Sequence, residues 1–293
     1  MSIFYKINNA LLATLFAAFI TACGGGGGGL ADIASTILSG SVGDGPIVGA
    51  TVVIRSADGT VLATTASNDN ANFNVSVKAK GKDYPLVIET SGGIDLVTGM
   101  APDFDMTSIA SAPSQKRVNV NPFSTMIEKV ARTMPGGLRV TNIDEAKNIV
   151  LSELNFGLDA SLIPDPITAT ITGDNVALMV KASETMAEMI RRTRDTYGSN
   201  ITGSDVIDAM VADLADGKVD GSGLAGTNAH ISAVSNIVTS QVLLEAMNNN
   251  LRVNGDVATN AMDYAIGVSL PGAPSTAITQ NVVINQAMIT QAT

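Results

Sequence analysis

The chain predicts a mixed α+β protein of two domains, an antiparallel β-sandwich followed by an α-helical bundle. Three observations carry that prediction. Residues 37–118 hold short β-branched runs separated by turn residues, and residues 119–267 hold apolar residues at helical spacing between caps and glycines. A hydrophobic content of 45% over 293 residues supplies enough apolar surface for real cores.

The N-terminal segment is expected to be removed before folding. Lys6 gives a short positive start, and Leu11 to Ile20 is a mostly apolar stretch that suits a signal-peptide core and is too short to span a bilayer. Ile20-Thr21-Ala22-Cys23 then closes it. These small residues before a lone cysteine resemble a bacterial lipobox. The resemblance implies that residues 1–22 are a lipoprotein signal peptide, that Cys23 becomes the lipidated first residue, and that palmitate or a similar acyl chain holds the protein to the lipid bilayer. Each buried CH₂ contributes about 0.8 kcal/mol, and stable anchoring takes more than one chain. Gly24 to Gly29 form a flexible run with a reach on the order of 13 Å, so residues 23–36 read as lipidated Cys plus tether. Gly24, where an Asp would signal retention, implies an outer-membrane location. Cys23 is the only cysteine, so acylation leaves no disulfide, thiolate nucleophile or zinc site.

The strand region follows. Thr51 to Arg55 (TVVIR) and Thr60 to Thr65 (TVLATT) flank Ala57-Asp58-Gly59, and Asp-Gly between two such runs predicts a hairpin. Phe73 to Lys78 alternates at Phe73, Val75 and Val77; Tyr84 to Glu89 gives another strand, and Asp103 to Ala110 a last one. Short strands at this spacing predict an antiparallel sandwich over residues 37–118, expected to fold on its own.

The same residues carry a family resemblance. Gly40-Ser41-Val42, then Asp44, then Pro46-Ile47-Val48-Gly49-Ala50-Thr51-Val52-Val53-Ile54 resembles the opening strands of the carboxypeptidase regulatory-like domain, a transthyretin-like β-sandwich. Ser67 to Phe73 stands where that family has a T-D-x-x-G-x-F turn, and Tyr84 to Ile88 matches its next strand. Asn68 replaces the family Asp and Ala71 the family Gly; because Ala tolerates positive φ poorly, a different turn type is expected here. The resemblance implies a non-catalytic accessory role.

Residues 119–267 read as six helices. Asn121-Pro122 is a cap followed by a first-turn proline, with Phe123, Met126, Ile127, Val130 and Met134 on one face and Gly136-Gly137 as the stop. Thr141, with Asp144 three residues on, is expected to cap a second helix bearing Ile143, Val150, Leu151 and Leu154 and closed by Gly157. Further helices are expected over 174–197, 204–215, 228–247 and 256–266, and residues 268–293 form a C-terminal tail. Short connections predict a bundle. This half resembles the helical segment that follows such a β-domain in some bacterial surface lipoproteins, which implies no activity.

Composition and motifs narrow the function. A net charge of −10 with no Trp disfavours nucleic acid as partner. There is no G-x-S-x-G or P-loop, and Gly43, Gly45 and Gly49 miss the dinucleotide fingerprint and precede a strand. His230 is the single histidine, which excludes His-pair metal motifs; it reads as an ordinary helix-start residue. Met179, Met186 and Met189 fall at helical spacing and read as core. Arg191, Arg192, Arg194 and Lys181 form a basic cluster that could bind an anionic polysaccharide or lipid headgroup but reads rather as the solvated last turn of a helix complementing its dipole. Asp213, Asp216 and Asp220 surround Gly217, and oxygen-rich bent loops suit calcium; the loop lacks EF-hand order and reads rather as a C-cap and solvated turn. No catalytic residue and no cofactor are assigned. The expected function is a non-enzymatic structural or adhesive lipoprotein with a protein or polysaccharide partner, the alternative being a binder of a small solute, polysaccharide or calcium.

Overall fold

The computed structural model describes residues 34–221 and 229–273; the expected signal peptide, Cys23, the glycine run and residues 274–293 of the tail lie outside the described residues. The protein is mixed α+β, and one compact unit begins at Ala34. Its strands are β1 (Ala34–Ser41), β2 (Ile47–Val48), β3 (Thr51–Arg55), β4 (Val61–Ala66), β5 (Asn72–Ala79), β6 (Leu86–Ser91), β7 (Ile94–Asp95), β8 (Met106–Ala110), β9 (Arg252–Val253) and β10 (Asp256–Val257). Its α-helices are α1 (Pro122–Thr133), α2 (Val140–Glu153), α3 (Val176–Tyr197), α4 (Gly203–Asp213), α5 (Ala229–Met247) and α6 (Thr259–Ser269).

Among the described residues these strands pair antiparallel, in a four-stranded sheet of order β4-β3-β6-β8 and three two-stranded pairs, β1-β5, β2-β7 and β10-β9. The hairpin predicted at Asp58-Gly59 joins β3 to β4: Gly59 takes φ +87°, and the Ser56 amide donates to the Thr60 carbonyl at 2.9 Å. Period-2 alternation decides which residues point inward. Val52 and Ile54 of β3 are buried while Thr51 is exposed; Phe73 and Val77 of β5 are buried while Asn74 and Ser76 are exposed. The turn before β5 departs from expectation. Ala71 adopts φ +56° after all, because Asn68 Oδ1 accepts the amides of both Asn70 and Asn72 at 3.0 Å and holds the glycine-type geometry around a buried alanine.

β1 begins at Ala34, earlier than the expected end of the tether at residue 36, and Thr36 is already buried. The far edge of β1 is covered by residues 116–120 running parallel to it, with Val118 and Val120 amides donating to Ser39 and Ser41 carbonyls at 2.9 and 2.8 Å. Asn119 carries that segment onward, its side chain donating to the Pro166 and Ala169 carbonyls at 3.3 and 2.8 Å. The strand half is therefore not closed on itself. Buried residues of β1, β3, β5 and β6 (Leu38, Ile54, Phe73, Leu86) belong to the same apolar cluster as Phe123, Met186 and Leu243 of the helices.

The helices begin and end for local reasons. Asn121 caps α1: its Oδ1 accepts the Ser124 amide and Ser124 Oγ accepts the Asn121 amide, both at 2.9 Å. The second cap differs from the Thr141 expectation. Gly136 and Gly137 take positive φ, Arg139 is left extended as the N-cap residue, and α2 starts at Val140 with Thr141 inside it. α4 stops at Asp213 with a 3₁₀ turn over Leu214–Asp216 and Gly217 at φ +90°. The small β9-β10 hairpin between α5 and α6 was not foreseen. Among the described residues no helix is long and apolar enough to cross a membrane.

Gly40 of β1 lies hard against the 116–120 segment that covers its edge. A Cβ there would overlap the Val118 carbonyl oxygen, whereas a Cβ on Gly81 would meet nothing within 4 Å. Gly40→Ala is expected to lower stability by about 1–3 kcal/mol, since the obstacle is backbone. Each kcal/mol lowers Tm by about 2–4 °C, read by calorimetry against Gly81→Ala as the control.

Candidate functional site

The described residues bring four carboxylates and one guanidinium together in the core where α3 meets the β1–β2 turn. Three of the groups come from α3. Glu184, Glu188 and Arg191 are spaced i, i+4 and i+7, which places them on one helix face. The fourth is Asp44, presented by Gly43-Asp44-Gly45-Pro46. Gly43 takes φ +144°, the Ile47 amide closes the turn on the Val42 carbonyl at 2.9 Å, and the Gly43 amide donates to the Val120 carbonyl at 2.9 Å. The fifth is Asp95 on β7, in register with Ile47 of β2. Its two oxygens accept the amides of Val97 and Thr98 at 2.9 and 3.1 Å, so the following turn fixes the carboxylate.

Arg191 is the hub. Its Nη1 donates to Asp44 Oδ2 at 3.0 Å, its Nη2 to Glu184 Oε2 at 2.8 Å, and its Nε to Glu188 Oε2 at 2.8 Å. Arg191 is 3% exposed and the three acids no more than 4%. Glu188 also accepts from Arg192 Nε at 2.8 Å, and Arg192 grips both oxygens of Glu245 at 2.9 and 2.7 Å, tying α3 to α5. Arg194 pairs with Asp103 and Asp195. Lys181 is buried, donates to Asn249 Oδ1, and has its ammonium pushed down to about 8 by burial. The reading of these four basic residues as a solvated helix end is thus corrected. α3 is covered along most of its length; Arg191 is held by buried acids, Arg192 and Arg194 by acids at its margin, and Lys181 donates to the Asn249 amide oxygen.

Among the described residues two buried acid oxygens have no hydrogen-bond partner, Asp44 Oδ1 and Glu184 Oε1. Burial, reinforced by the Asp95 charge and against the pull of Arg191, raises the Asp44 carboxyl to about 6. Burial and the charges of Asp95 and Asp44 raise Glu184 well above the ordinary carboxylate range. One oxygen from each of Asp44, Asp95 and Glu184 lies within 4.8 Å of the others, a spacing that allows all three to bind one hard cation. A cavity of about 190 Å³ adjoins the cluster, with Asp44, Gly45 and Ser183 in its wall beside Asn72, Arg117 and Val180.

The residues singled out from sequence are placed elsewhere. Asp213 is buried, both its oxygens accept the Gly221 amide at 3.0 Å, and Ser232 Oγ donates to it; Asp216 Oδ1 accepts the Lys218 amide at 3.0 Å, and Asp216 and Asp220 are exposed. His230 is exposed on the first turn of α5, and Met179, Met186 and Met189 are buried in the core. Sequence reasoning missed Asp44, Asp95, Glu184 and Glu188. The signal available was the run of Ala, Met and Val through α3, which leaves no solvated face for its charges. Compared with protein-family models, curated proteins and solved structures, the chain finds no match.

Two outcomes follow from the network. Arg191→Met removes the shared partner of three buried acids and is expected to cost about 3–5 kcal/mol in denaturant unfolding. With divalent cations chelated, Asp44 binds its proton more tightly folded than unfolded. It therefore stabilises the fold below about pH 4, and that contribution is lost as pH rises through 6. Wild type minus Asp44→Asn stability is expected to fall between pH 4 and 7, by on the order of 3 kcal/mol.

Proposed function

We propose that the protein is a membrane-anchored, non-enzymatic lipoprotein of the outer membrane with a structural or adhesive role, held to the bilayer through acylated Cys23. In this reading the strand half is a transthyretin-type sandwich, the helical half a bundle, and the two act as one rigid body. Support for the sandwich comes from the buried alternating residues of β1 and β5 and of β3 and β6, which join one core.

The observation that carries the adhesive reading is the outward face of α5. A helix that is apolar all round is ordinarily buried. α5 buries Val238, Val242 and Leu243, yet Ile237 is 73% and Leu244 52% exposed, one heptad apart on the opposite side with Ala233. Large apolar side chains aligned on a free helix face favour a protein or polysaccharide surface as partner. The net charge of −10 disfavours nucleic acid.

A photo-crosslinker placed at position 240, beside that face, is expected to yield a discrete adduct in intact envelopes, lost in Ile237→Glu and Leu244→Glu. Surface changes of this kind shift stability by no more than about 0.5 kcal/mol, so melting separates lost contact from lost fold. The reading fails if no adduct forms, or if one forms equally in both variants. Separately, Cys23→Ser is expected to abolish palmitate labelling and move the protein to the soluble fraction. Labelling at the wild-type level would refute the anchor.

A further inference from the structure

Beyond that reading, we infer that Asp44, Asp95 and Glu184 form a binding site for one divalent cation of calcium's size, seated between the β1–β2 turn and α3. Three features of the cluster lead there.

The first is unsatisfied oxygen. Asp44 and Glu184 each give one carboxylate oxygen to Arg191, at 3.0 and 2.8 Å, and each leaves the other without a partner although both side chains are buried, at 2% and 0% exposed. A carboxylate oxygen removed from water and left unpaired is costly, so such positions are kept for a proton or a ligand. The second is charge. Asp44, Asp95 and Glu184 bring three negative charges and Arg191 one positive, while Glu188 is shared with Arg192. Arg192 is in turn shared with Glu245, so five carboxylates face two guanidiniums, an excess of acid that a divalent cation offsets.

The third is space. An ideal Cβ on Gly45 would stand 2.5 Å from both Asp95 Oδ1 and Glu184 Oε1, so these oxygens converge from two elements on a gap that only glycine leaves open. Oxygen ligands on calcium sit at about 2.3–2.6 Å, which sets the widest separation of two of them near 5 Å; magnesium demands about 2.0–2.1 Å and a stricter octahedron. The three oxygens lie within 4.8 Å of one another, inside the widest separation a calcium site allows. The adjoining cavity has Asp44 and Gly45 in its wall and so reaches the edge of the cluster.

The test uses the whole chain as expressed and purified in detergent, stripped with EGTA and titrated with calcium chloride at pH 7.5 by calorimetry and thermal melting. One calcium per chain is expected, with a Tm rise of several degrees and an affinity for magnesium at least tenfold weaker. Asp95→Asn and Gly45→Ala are each expected to weaken calcium binding at least tenfold. Gly45→Ala leaves every charge in place and obstructs only the gap. Asp216→Ala, in the other acidic loop, is expected to leave binding unchanged. The inference is overturned if wild type binds no calcium, or if binding survives Gly45→Ala and is lost in Asp216→Ala. It is equally overturned if calcium binds at pH 7.5 and folded Asp95→Asn and Gly45→Ala both keep the wild-type affinity. Where a variant of the cluster fails to fold, Asp216→Ala still tells the two acidic sites apart, because loss of binding there overturns the inference.

Discussion

A single buried guanidinium sets the terms for the rest of the structure. Arg191 donates from all three of its nitrogens, each to a different carboxylate, and one of those carboxylates arrives from a turn far away in the chain. A planar fork with fixed donor directions can do this; an ammonium on a flexible stem has neither the reach nor the geometry. Removing such a charge from water is unfavourable by several kcal/mol, so the fold is committed to delivering all its partners. That requirement seats the Gly43–Pro46 turn on α3, and through the turn it seats β1 and β2. Arg192 extends the commitment to α5 through Glu245.

The other polar groups of α3 follow the same rule on a smaller scale. Thr185 Oγ1 donates to the Lys181 carbonyl one turn back at 2.6 Å, and Ser183 and Thr193 rest against the Met179 and Met189 sulfurs at 3.7 and 3.9 Å. A helix covered on so many sides can carry polar residues only if each finds its partner on its own backbone or on a neighbour. α3 is in this sense an interior strut, with the strand half and helices α4, α5 and α6 arranged around it.

Much of this architecture was legible in the chain because it depends on local chemistry. Asn121-Pro122 starts a helix wherever it occurs before an apolar stripe, Asp58-Gly59 turns two β-branched runs back on each other, and the six helices stand within a few residues of their expected spans. What was not legible is what local chemistry does not decide. Ala71 reads as a poor fit for positive φ until Asn68 is seen holding both neighbouring amides. Arg191 at a helix end reads as a solvated cation until the turn bearing Asp44 is folded against it. The candidate site is the extreme case, since Asp44, Asp95 and Glu184 come from three separate elements and no spacing in the sequence relates them. The lone partial clue, Glu184, Glu188 and Arg191 on one face, shows pairing within α3 and says nothing of the turn.

The two acidic clusters show why density of carboxylates is a poor guide to ligand binding. Asp213, Asp216 and Asp220 surround glycines on one short bent loop, the composition expected of an ion-binding segment, yet Asp213 and Asp216 turn their oxygens on the loop's own amides and on Ser232. Those hydrogen bonds hold the loop in shape, as the Val97 and Thr98 amides hold Asp95, but the loop adds no buried acid oxygen without a donor. Asp44 and Glu184 are scattered in sequence and each is bound to Arg191, but one oxygen of each remains unsatisfied in a water-poor interior. Capacity for a cation therefore tracks unsatisfied oxygen and uncompensated charge. Both arise here because the fold brings in one carboxylate more from the turn, and another from β7, than its central arginine can neutralise.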